Sequence, residues 1–319
     1  SCVRLLMRVD RELAFKDAKI HESALFALDA LLKAQYANGA WPQRYTEFPD
    51  PKRHQPKQAT YPESWSKKWP GEIYKGHYTF NDNSMSDDID MMLEAARIYK
   101  DDRYRQSAIK GGEFILRAQM PEPQPAWAQQ YDEDMHPAWA RLFEPPSVTG
   151  GESQGIIETL FVLYRETSDR RFFDATGKAL AWLERSLLTR PANPSETWRR
   201  LKPNEPVLAR FYELKTNRPL FITKGTQLQA RNLGSARIDG YEVTYSDESV
   251  INHYGVLTSG ARVKQIREEH DRLLKQATPR PDRLHGLSPW AERGSPLDKK
   301  TSAAKVNEII NAMDSRGAW

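Results

Sequence analysis

The residues with the clearest chemical potential lie in one irregular stretch, residues 125–155. It places an arginine, several carboxylates, amides and tryptophans among prolines. Pro137, Pro145 and Pro146 remove backbone donors and restrict their neighbours, so a regular helix cannot form there. The aromatic content is too high for a disordered linker. We therefore predict an ordered loop that carries a functional site.

Arg141 is the residue of this stretch best suited to bind a carboxylate. It lies between Trp139 and Phe143 in the sequence. A guanidinium held by aromatic neighbours presents a planar fork of donors that matches carboxylate geometry. From the pattern alone, a structural arginine paired with Glu144 or Asp132 is the favoured interpretation. The residues by themselves leave both roles open.

Repeated helical hairpins must position this loop. Residues 3–43, 91–129 and 155–188 each read as an apolar-periodic helix, a polar turn with Asp, a second such helix and a loop. The first two copies match at Leu31 and Ile115, Leu32 and Leu116, Gln35 and Gln119, Trp41 and Trp127, and Gln43 and Gln129. Matching helices followed by matching loops predict a mainly all-α fold, an (α/α)3-type toroid of helical hairpins with a few short strands.

The rest of the chain departs from the hairpin pattern. Residues 49–76 read as a long surface excursion ordered by Trp65 and Trp69. Beyond Leu188 we expect the repeat to end, with short strands near residues 207–221 and 241–245. We predict a toroid domain over residues 1–225 and an irregular C-terminal extension, residues 226–319, packed on the same domain.

Composition excludes several classes of protein. The chain has 319 residues, of which 39% are hydrophobic and 28% charged, as expected of a globular protein with a wet surface. A formal charge of +4 is too small to indicate a nucleic-acid partner. No apolar run is long enough for a membrane span. Cys2 is the single cysteine, so no internal disulfide forms and cysteine usage does not settle the compartment.

Five motifs in order resemble the family-ten pectate lyases over residues 3–221. They are GAWPQRY, YTFNDNSM, PAWAQQYD, PAWARLFEPPSVTGGES, and ARFYEL followed by TNRPLF. The resemblance implies an (α/α) toroid with a long groove. It also implies calcium-dependent β-elimination of polygalacturonate to 4,5-unsaturated oligogalacturonates. The expected partner is this acidic polysaccharide, and the expected state is a monomer that is secreted or periplasmic.

The same resemblance implies roles for individual residues. Arg141, in PAWAR, matches the family's catalytic base, which removes the proton at C5. Asp82, in FNDN, matches a carboxylate that binds Ca²⁺. A second arginine binds the substrate carboxylate, with Arg218 slightly preferred to Arg210. The full expected substrate-binding set is Arg218, Arg210, Trp127, Gln130, Asp132 and Trp41.

The sequence departs from the family pattern in one respect. Family members carry a further Asp in an Asp-Asn motif whose position would precede Ser1. Without that Asp, we expect the calcium site to be incomplete.

Two other classes of function stay open. A glycoside hydrolase acting on uronides would use two carboxylates, for which Asp132 and Glu152 are the best pair. A non-catalytic uronide-binding protein would use Trp41, Trp127 and Trp139 as sugar platforms. Packing of the hairpin ends explains each tryptophan equally well, and capping of a turn explains Asp132 equally well.

Overall fold

The structure is a computed structural model that describes residues 2–43, 47–71, 77–229, 237–249, 256–276 and 279. The helices in this part are α1 (Cys2–Glu12), α2 (Ala18–Ala34), α3 (Ser84–Tyr99), α4 (Asp102–Ala118), α5 (Glu152–Thr167), α6 (Arg170–Arg185), α7 (Glu196–Arg199) and α8 (Ala261–Leu274). The strands are β1 (Tyr78–Thr79), β2 (Gln130–Tyr131), β3 (Val148–Thr149), β4 (Val207–Ala209), β5 (Phe211–Tyr212), β6 (Pro219–Gln229), β7 (Arg237–Thr244) and β8 (Leu257–Ser259). None of the described helices has the length and apolarity needed to cross a membrane.

Helices α1 to α6 pack as three successive hairpins, α1 with α2, α3 with α4 and α5 with α6. The second helix of each hairpin begins with an aspartate cap, because Asp17, Asp101 and Asp169 each accept a backbone N–H from the first turn. The main hydrophobic core lies largely between α3, α4, α5 and α6. The mainly α-helical fold predicted from the apolar periodicity is confirmed.

The first two hairpins end in the same way. Gln35 and Gln119 follow α2 and α4 with nearly equal extended backbones, φ −69°, ψ 124° and φ −65°, ψ 122°. Each side-chain amide donates to two backbone carbonyls. Trp41 and Trp127 then return to their own helices, donating the indole N–H to a helix carbonyl at 3.0 and 2.8 Å. At these two pairs the matched sequence positions have matched structural roles, whereas Gln43 is exposed and its counterpart Gln129 is buried.

Among the described residues no further helical hairpin follows α6, as predicted, but the loop after α6 keeps one contact of the second loop. The hydroxyl of Tyr131 accepts the N–H of Ala128 at 2.7 Å and donates to the last carbonyl of α4 at 2.6 Å. Tyr212 does the same in the third copy, accepting from Ala209 at 2.9 Å and donating to the carbonyl after α6 at 2.6 Å. This arrangement requires only a tyrosine hydroxyl and the backbone N–H three positions before it, so the rest of the third loop is free to differ.

Four antiparallel strands form the largest sheet, in the order β3-β5-β6-β7. Strands β6 and β7 are longer than the short strands predicted, with Phe221 opposite Thr244 and a register shift between Lys224 and Gln227. Strand β6 continues through the predicted domain boundary at residue 225. Most of the predicted extension lies outside the described residues, but its helix α8 packs on α5 and α6.

A long segment, residues 47–71, crosses the surface between α2 and β1, and we call it the strap. Ala59 donates its N–H to the carbonyl of Arg117 near the end of α4 at 2.8 Å. Further along, Trp69 donates its N–H to the carbonyl of Tyr241 in β7 at 3.0 Å. The strap is therefore fixed by backbone hydrogen bonds at its middle and near its C-terminal end.

Candidate active site

A turn of 3-10 helix, Asn81–Asn83, places an exposed carboxylate immediately before α3. Asp82 and Asn83 both adopt left-handed backbones, with φ of 54° and 58°. Aspartate and asparagine tolerate this region better than other residues that carry a side chain. Asn81 is only 4% exposed, and its amide donates to Asp82 Oδ2 at 2.7 Å. The buried amide of Asn81 therefore holds the exposed carboxylate of Asp82 in place.

A second turn, residues 140–144, carries Arg141. Ala140 donates its N–H to the Glu144 carbonyl at 3.1 Å, and the Glu144 N–H returns to the Arg141 carbonyl at 2.9 Å. The Glu144 carboxylate accepts the Arg141 backbone N–H at 3.1 Å and its Nη2 at 2.5 Å. Glu144 is buried, whereas 39% of the Arg141 side chain is exposed. The arginine is therefore paired with Glu144, as in the structural interpretation, yet it stays accessible.

Gln129 connects the two turns. Its amide nitrogen donates to Glu144 Oε1 at 2.6 Å and to Asn81 Oδ1 at 2.9 Å, and the residue is 1% exposed. A carboxylate ion only accepts hydrogen bonds, so ionised Glu144 and Asp82 fix the orientation of both amides. We call Gln129 and Asn81 the amide bridge. It links the partner of Arg141 to Asp82 through buried side chains.

Arg210 meets the amide bridge from the third hairpin. Its Nη2 lies 3.4 Å from Asn81 Oδ1 and 3.2 Å from Oε1 of Glu152, the first residue of α5. Arg210 follows Ala209 as Gln129 follows Ala128, so the two side chains hold equivalent places in their repeats. With 20% of its side chain exposed, Arg210 is partly accessible.

Arg218 occupies a different place. Its guanidinium stacks on the ring of Tyr245 at 3.6 Å from the centroid. In the described part of the chain it forms no hydrogen bond or ion pair with Asn81 or Glu152. The structure therefore brings Arg210, rather than Arg218, together with Asp82 and Arg141.

Glu213 is a strongly acidic carboxyl beside Arg218, because it accepts the hydroxyl of Tyr245 at 2.6 Å. Burial acts to raise its pKa, but hydrogen bonds from Lys67, Thr216 and Tyr245 lower the pKa to about 2. The carboxylate thus stays ionised and fixes the aromatic ring on which Arg218 stacks.

The structure corrects two of the predicted substrate-binding residues. Trp41 and Trp127 are 3% and 0% exposed, and both indoles bind helix carbonyls in the core. Neither ring has a face open to a sugar, so both belong to the packing of the hairpin ends. Trp139, the third candidate platform, is 8% exposed.

Gln130 and Asp132 are engaged with their own loop. The Gln130 amide donates to the Ala138 carbonyl at 2.8 Å and supports the segment leading to Arg141. Asp132 Oδ1 accepts the backbone N–H groups of Asp134 and His136, both at 2.9 Å. Asp132 therefore caps a turn, as in the alternative interpretation, although 37% of its side chain is exposed.

The described residues alone do not assemble a metal site. Within these ranges, no group of three or more His, Cys, Asp or Glu side chains could hold a metal ion. Asp82 is the carboxylate best suited to Ca²⁺, because it is exposed and oxygen is the ligand that calcium prefers. Glu144 and Glu152 are paired with Arg141 and Arg210. Asp82 is therefore the candidate calcium ligand that the described residues offer beside Arg141 and Arg210.

Comparison with known proteins identifies the family. A model of the pectic acid lyase family matches residues 11–251, most of the chain. The chain belongs to this family. By family and fold it is therefore a polysaccharide lyase, and the resemblance found in its motifs is confirmed. A search of curated proteins finds no match.

Two similar solved structures show the same fold. A family 10 polysaccharide lyase from Cellvibrio cellulosa has 19% identity and a TM-score of 0.53, over 80% of this chain and 77% of that one. A mutant of that lyase in complex with trigalacturonic acid has 19% identity and a TM-score of 0.52, over 80% and 78%. At such low identity the likeness concerns the fold alone.

Sequence reasoning missed the amide bridge and the continuation of the third hairpin's loop beyond Leu188. Asn81 and Gln129 lie beside residues that were singled out, but nothing in their neighbourhood marks an amide as buried. The position of Arg210 could have been found from the sequence, because Ala209 and Tyr212 repeat the spacing of Ala128 and Tyr131.

Proposed function

We propose that this chain is a calcium-dependent pectate lyase, which cleaves polygalacturonate by β-elimination to 4,5-unsaturated oligogalacturonates. The observation that carries the proposal is the continuous connection from Arg141 through Glu144, Gln129 and Asn81 to Asp82. It supports an accessible guanidinium and an exposed carboxylate on one buried framework. Such rigid support is what a catalytic group requires.

The chemistry needs positive charge around the substrate carboxylate. The proton at C5 lies next to that carboxylate, so its removal builds negative charge beside an existing anion. Fixed cations stabilise such developing charge. Arg141 is joined to the amide bridge through Glu144, Arg210 contacts it directly, and both arginines are accessible. We assign the substrate carboxylate to Arg210, because Arg218 makes its contacts at a separate patch.

We assign proton removal to Arg141. Its guanidine takes the C5 proton, a double bond forms between C4 and C5, and the C4–O4 bond breaks. The electron pair leaves with O4, which takes a proton from solvent. Pairing with Glu144 favours the protonated guanidinium, so we infer that the guanidinium separates from Glu144 when substrate binds, while the Arg141 backbone N–H stays bonded to that carboxylate. Positive charge nearby then favours the neutral guanidine that accepts the proton.

Ca²⁺, when bound, supplies further positive charge at the substrate carboxylate. Asp82 is the residue of this chain that we assign as its ligand, because the carboxylate is exposed and held in place by Asn81. We also propose that the protein acts as a monomer and is secreted or periplasmic. The trigalacturonic acid complex of the Cellvibrio cellulosa mutant supports an acidic polysaccharide as the substrate.

Ultraviolet absorbance tests the reaction, because elimination creates a conjugated double bond and hydrolysis does not. Purified protein mixed with polygalacturonate should raise the absorbance when Ca²⁺ is present, and a chelator should stop the rise. Asp82→Ala should lower the rate and weaken the response to Ca²⁺ while helical content is unchanged. New chain ends without the absorbance would indicate a hydrolase and would exclude our proposal.

A non-catalytic uronide-binding protein is the second candidate. It is favoured by the absence, among the residues described, of a three-ligand metal group. Binding of oligogalacturonate without absorbance change at saturating Ca²⁺ would establish it. A glycoside hydrolase has less support, because Asp132 caps its own turn and Glu152 pairs with Arg210.

A further inference from the structure

The strap packs between the Arg141 turn and the edge of the four-stranded sheet. Lys67 accepts the N–H of Val243 at 2.8 Å, and Trp69 donates its N–H to Tyr241 at 3.0 Å. These hydrogen bonds add residues 67–69 to the edge of β7. The ring of Phe143, in the Arg141 turn, meets the ring of Tyr241 edge to face, 6.2 Å between centroids. Sheet, strap and turn are thus in mutual contact.

Two reciprocal indole hydrogen bonds join the strap to the segment that carries Arg141. Trp69 Nε1 donates to the Ala140 carbonyl at 3.2 Å, and Trp139 Nε1 donates to the Ser66 carbonyl at 2.8 Å. The two tryptophans are 9% and 8% exposed. Because these contacts are buried, water is poorly placed to replace a lost donor.

The Trp69 bond acts directly on the peptide that leads into Arg141. The Ala140 carbonyl belongs to the same peptide plane as the Arg141 nitrogen. That nitrogen donates to the Glu144 carboxylate, and the Ala140 N–H donates to the Glu144 carbonyl. Trp69 thus binds the carbonyl of the peptide between Ala140 and Arg141, and Glu144 binds the N–H of the same peptide.

We propose that Trp69 is a positioning residue for Arg141, acting through the Ala140 carbonyl. This inference rests on the catalytic role proposed above for Arg141. It gives the strap a specific task, since its docking on β7 then determines where the guanidinium is presented. A displacement of a catalytic group by about 1 Å costs roughly a hundred-fold in rate.

The test is Trp69→Phe, which keeps an aromatic ring and removes the indole donor. Trp182→Phe is the matched control, because the Trp182 indole is fully buried and donates to Asn217 Oδ1 at 2.8 Å, outside the Arg141 turn. Two readouts are needed. They are amide hydrogen exchange of residues 138–144 and steady-state kinetics on polygalacturonate at saturating Ca²⁺.

We expect about five-fold faster exchange in residues 138–144 of Trp69→Phe and no change there in Trp182→Phe. We also expect kcat of Trp69→Phe to fall roughly ten- to a hundred-fold with KM nearly unchanged. If Trp69→Phe does not fold, Trp69→His replaces it, because it also keeps an aromatic ring and removes the indole bond to the Ala140 carbonyl. Unchanged exchange in residues 138–144, or equal exchange in variant and control, would overturn the inference.

The two proposals fail differently. If the parent forms no unsaturated product, the lyase proposal is wrong, and the exchange result still decides whether Trp69 holds the turn. If the parent is active and Trp69→Phe keeps its kcat, only the positioning role is wrong.

Discussion

Replacing Gln129 with leucine should separate the two halves of the candidate site. Leucine has a similar volume but no hydrogen-bonding group. The change removes a donor from Glu144 Oε1 and another from Asn81 Oδ1. Because Gln129 is 1% exposed, water is not available to replace them. Arg141 and Asp82 would then no longer share one framework.

The expected loss of stability follows from these two bonds. The bond to Asn81 joins neutral groups and contributes about 1 kcal/mol, whereas the bond to the Glu144 carboxylate contributes about 1.5–3 kcal/mol. Gln129→Leu should therefore lower the free energy of unfolding by roughly 3 kcal/mol. Gln119→Leu is the matched control. Its amide makes two neutral bonds of 2.9 Å away from the site, worth about 2 kcal/mol together.

Urea unfolding followed by circular dichroism measures both losses, and the absorbance assay measures turnover of the folded variants. We expect kcat of Gln129→Leu to fall by about a hundred-fold and that of Gln119→Leu to change by less than about two-fold. If the two variants lose similar stability and both keep the parent's kcat, the amide bridge only supports the fold. In that case the connection between Arg141 and Asp82 has no catalytic meaning.

Three further variants test individual residues. Arg141→Lys should lower kcat almost as far as Arg141→Ala, roughly a hundred- to ten-thousand-fold, because lysine lacks the planar fork. Full turnover in Arg141→Ala would contradict the assignment of Arg141 as the base. Arg210→Ala should raise KM for polygalacturonate at least about ten-fold and Arg218→Ala less than about two-fold, and the opposite order in steady-state kinetics would favour Arg218. Glu213→Gln tests how stability depends on pH. The pKa of Glu213 is lowered from 4.5 to about 2, so its ionised form stabilises the native state fully above pH 4.5. That contribution is lost as the pH falls towards 2. Between pH 6 and pH 3 the parent should lose about 2 kcal/mol that the Gln variant does not, and equal losses in urea unfolding would contradict this.

The helical hairpins could be predicted because their determinants are local. Apolar spacing identifies the helices, and Gln35 and Gln119 close equivalent loops with the same backbone bonds. The loop of the third copy escaped prediction because only Ala209 and Tyr212 keep the pattern of the second loop. Those two positions suffice to place the Tyr212 hydroxyl between the Ala209 N–H and the carbonyl of Ser186 after α6. A sparse repeat of this kind is visible only after the structure shows which contacts it must preserve.

The site was predictable only where a motif carried it. Asp82 and Arg141 were identified by their motifs, and the structure supports both on one framework. Trp41 and Trp127 were misassigned because an aromatic residue in a loop motif does not reveal whether its ring faces solvent or the helix behind it. Gln129 was missed because its partner Asn81 is 48 positions away, and burial of an amide depends on such distant neighbours.

The two left-handed residues before α3 carry a consequence for engineering. Asp82 and Asn83 hold φ values of 54° and 58°, a region that costs most residues with a side chain roughly 1–2 kcal/mol, aspartate and asparagine less, and glycine no steric strain. A selection for heat resistance alone should therefore enrich glycine at both positions. At position 83 that gain is harmless if our assignment holds, whereas at position 82 it deletes the proposed calcium ligand. A directed-evolution campaign that screens for folding before activity would discard the function in its first round.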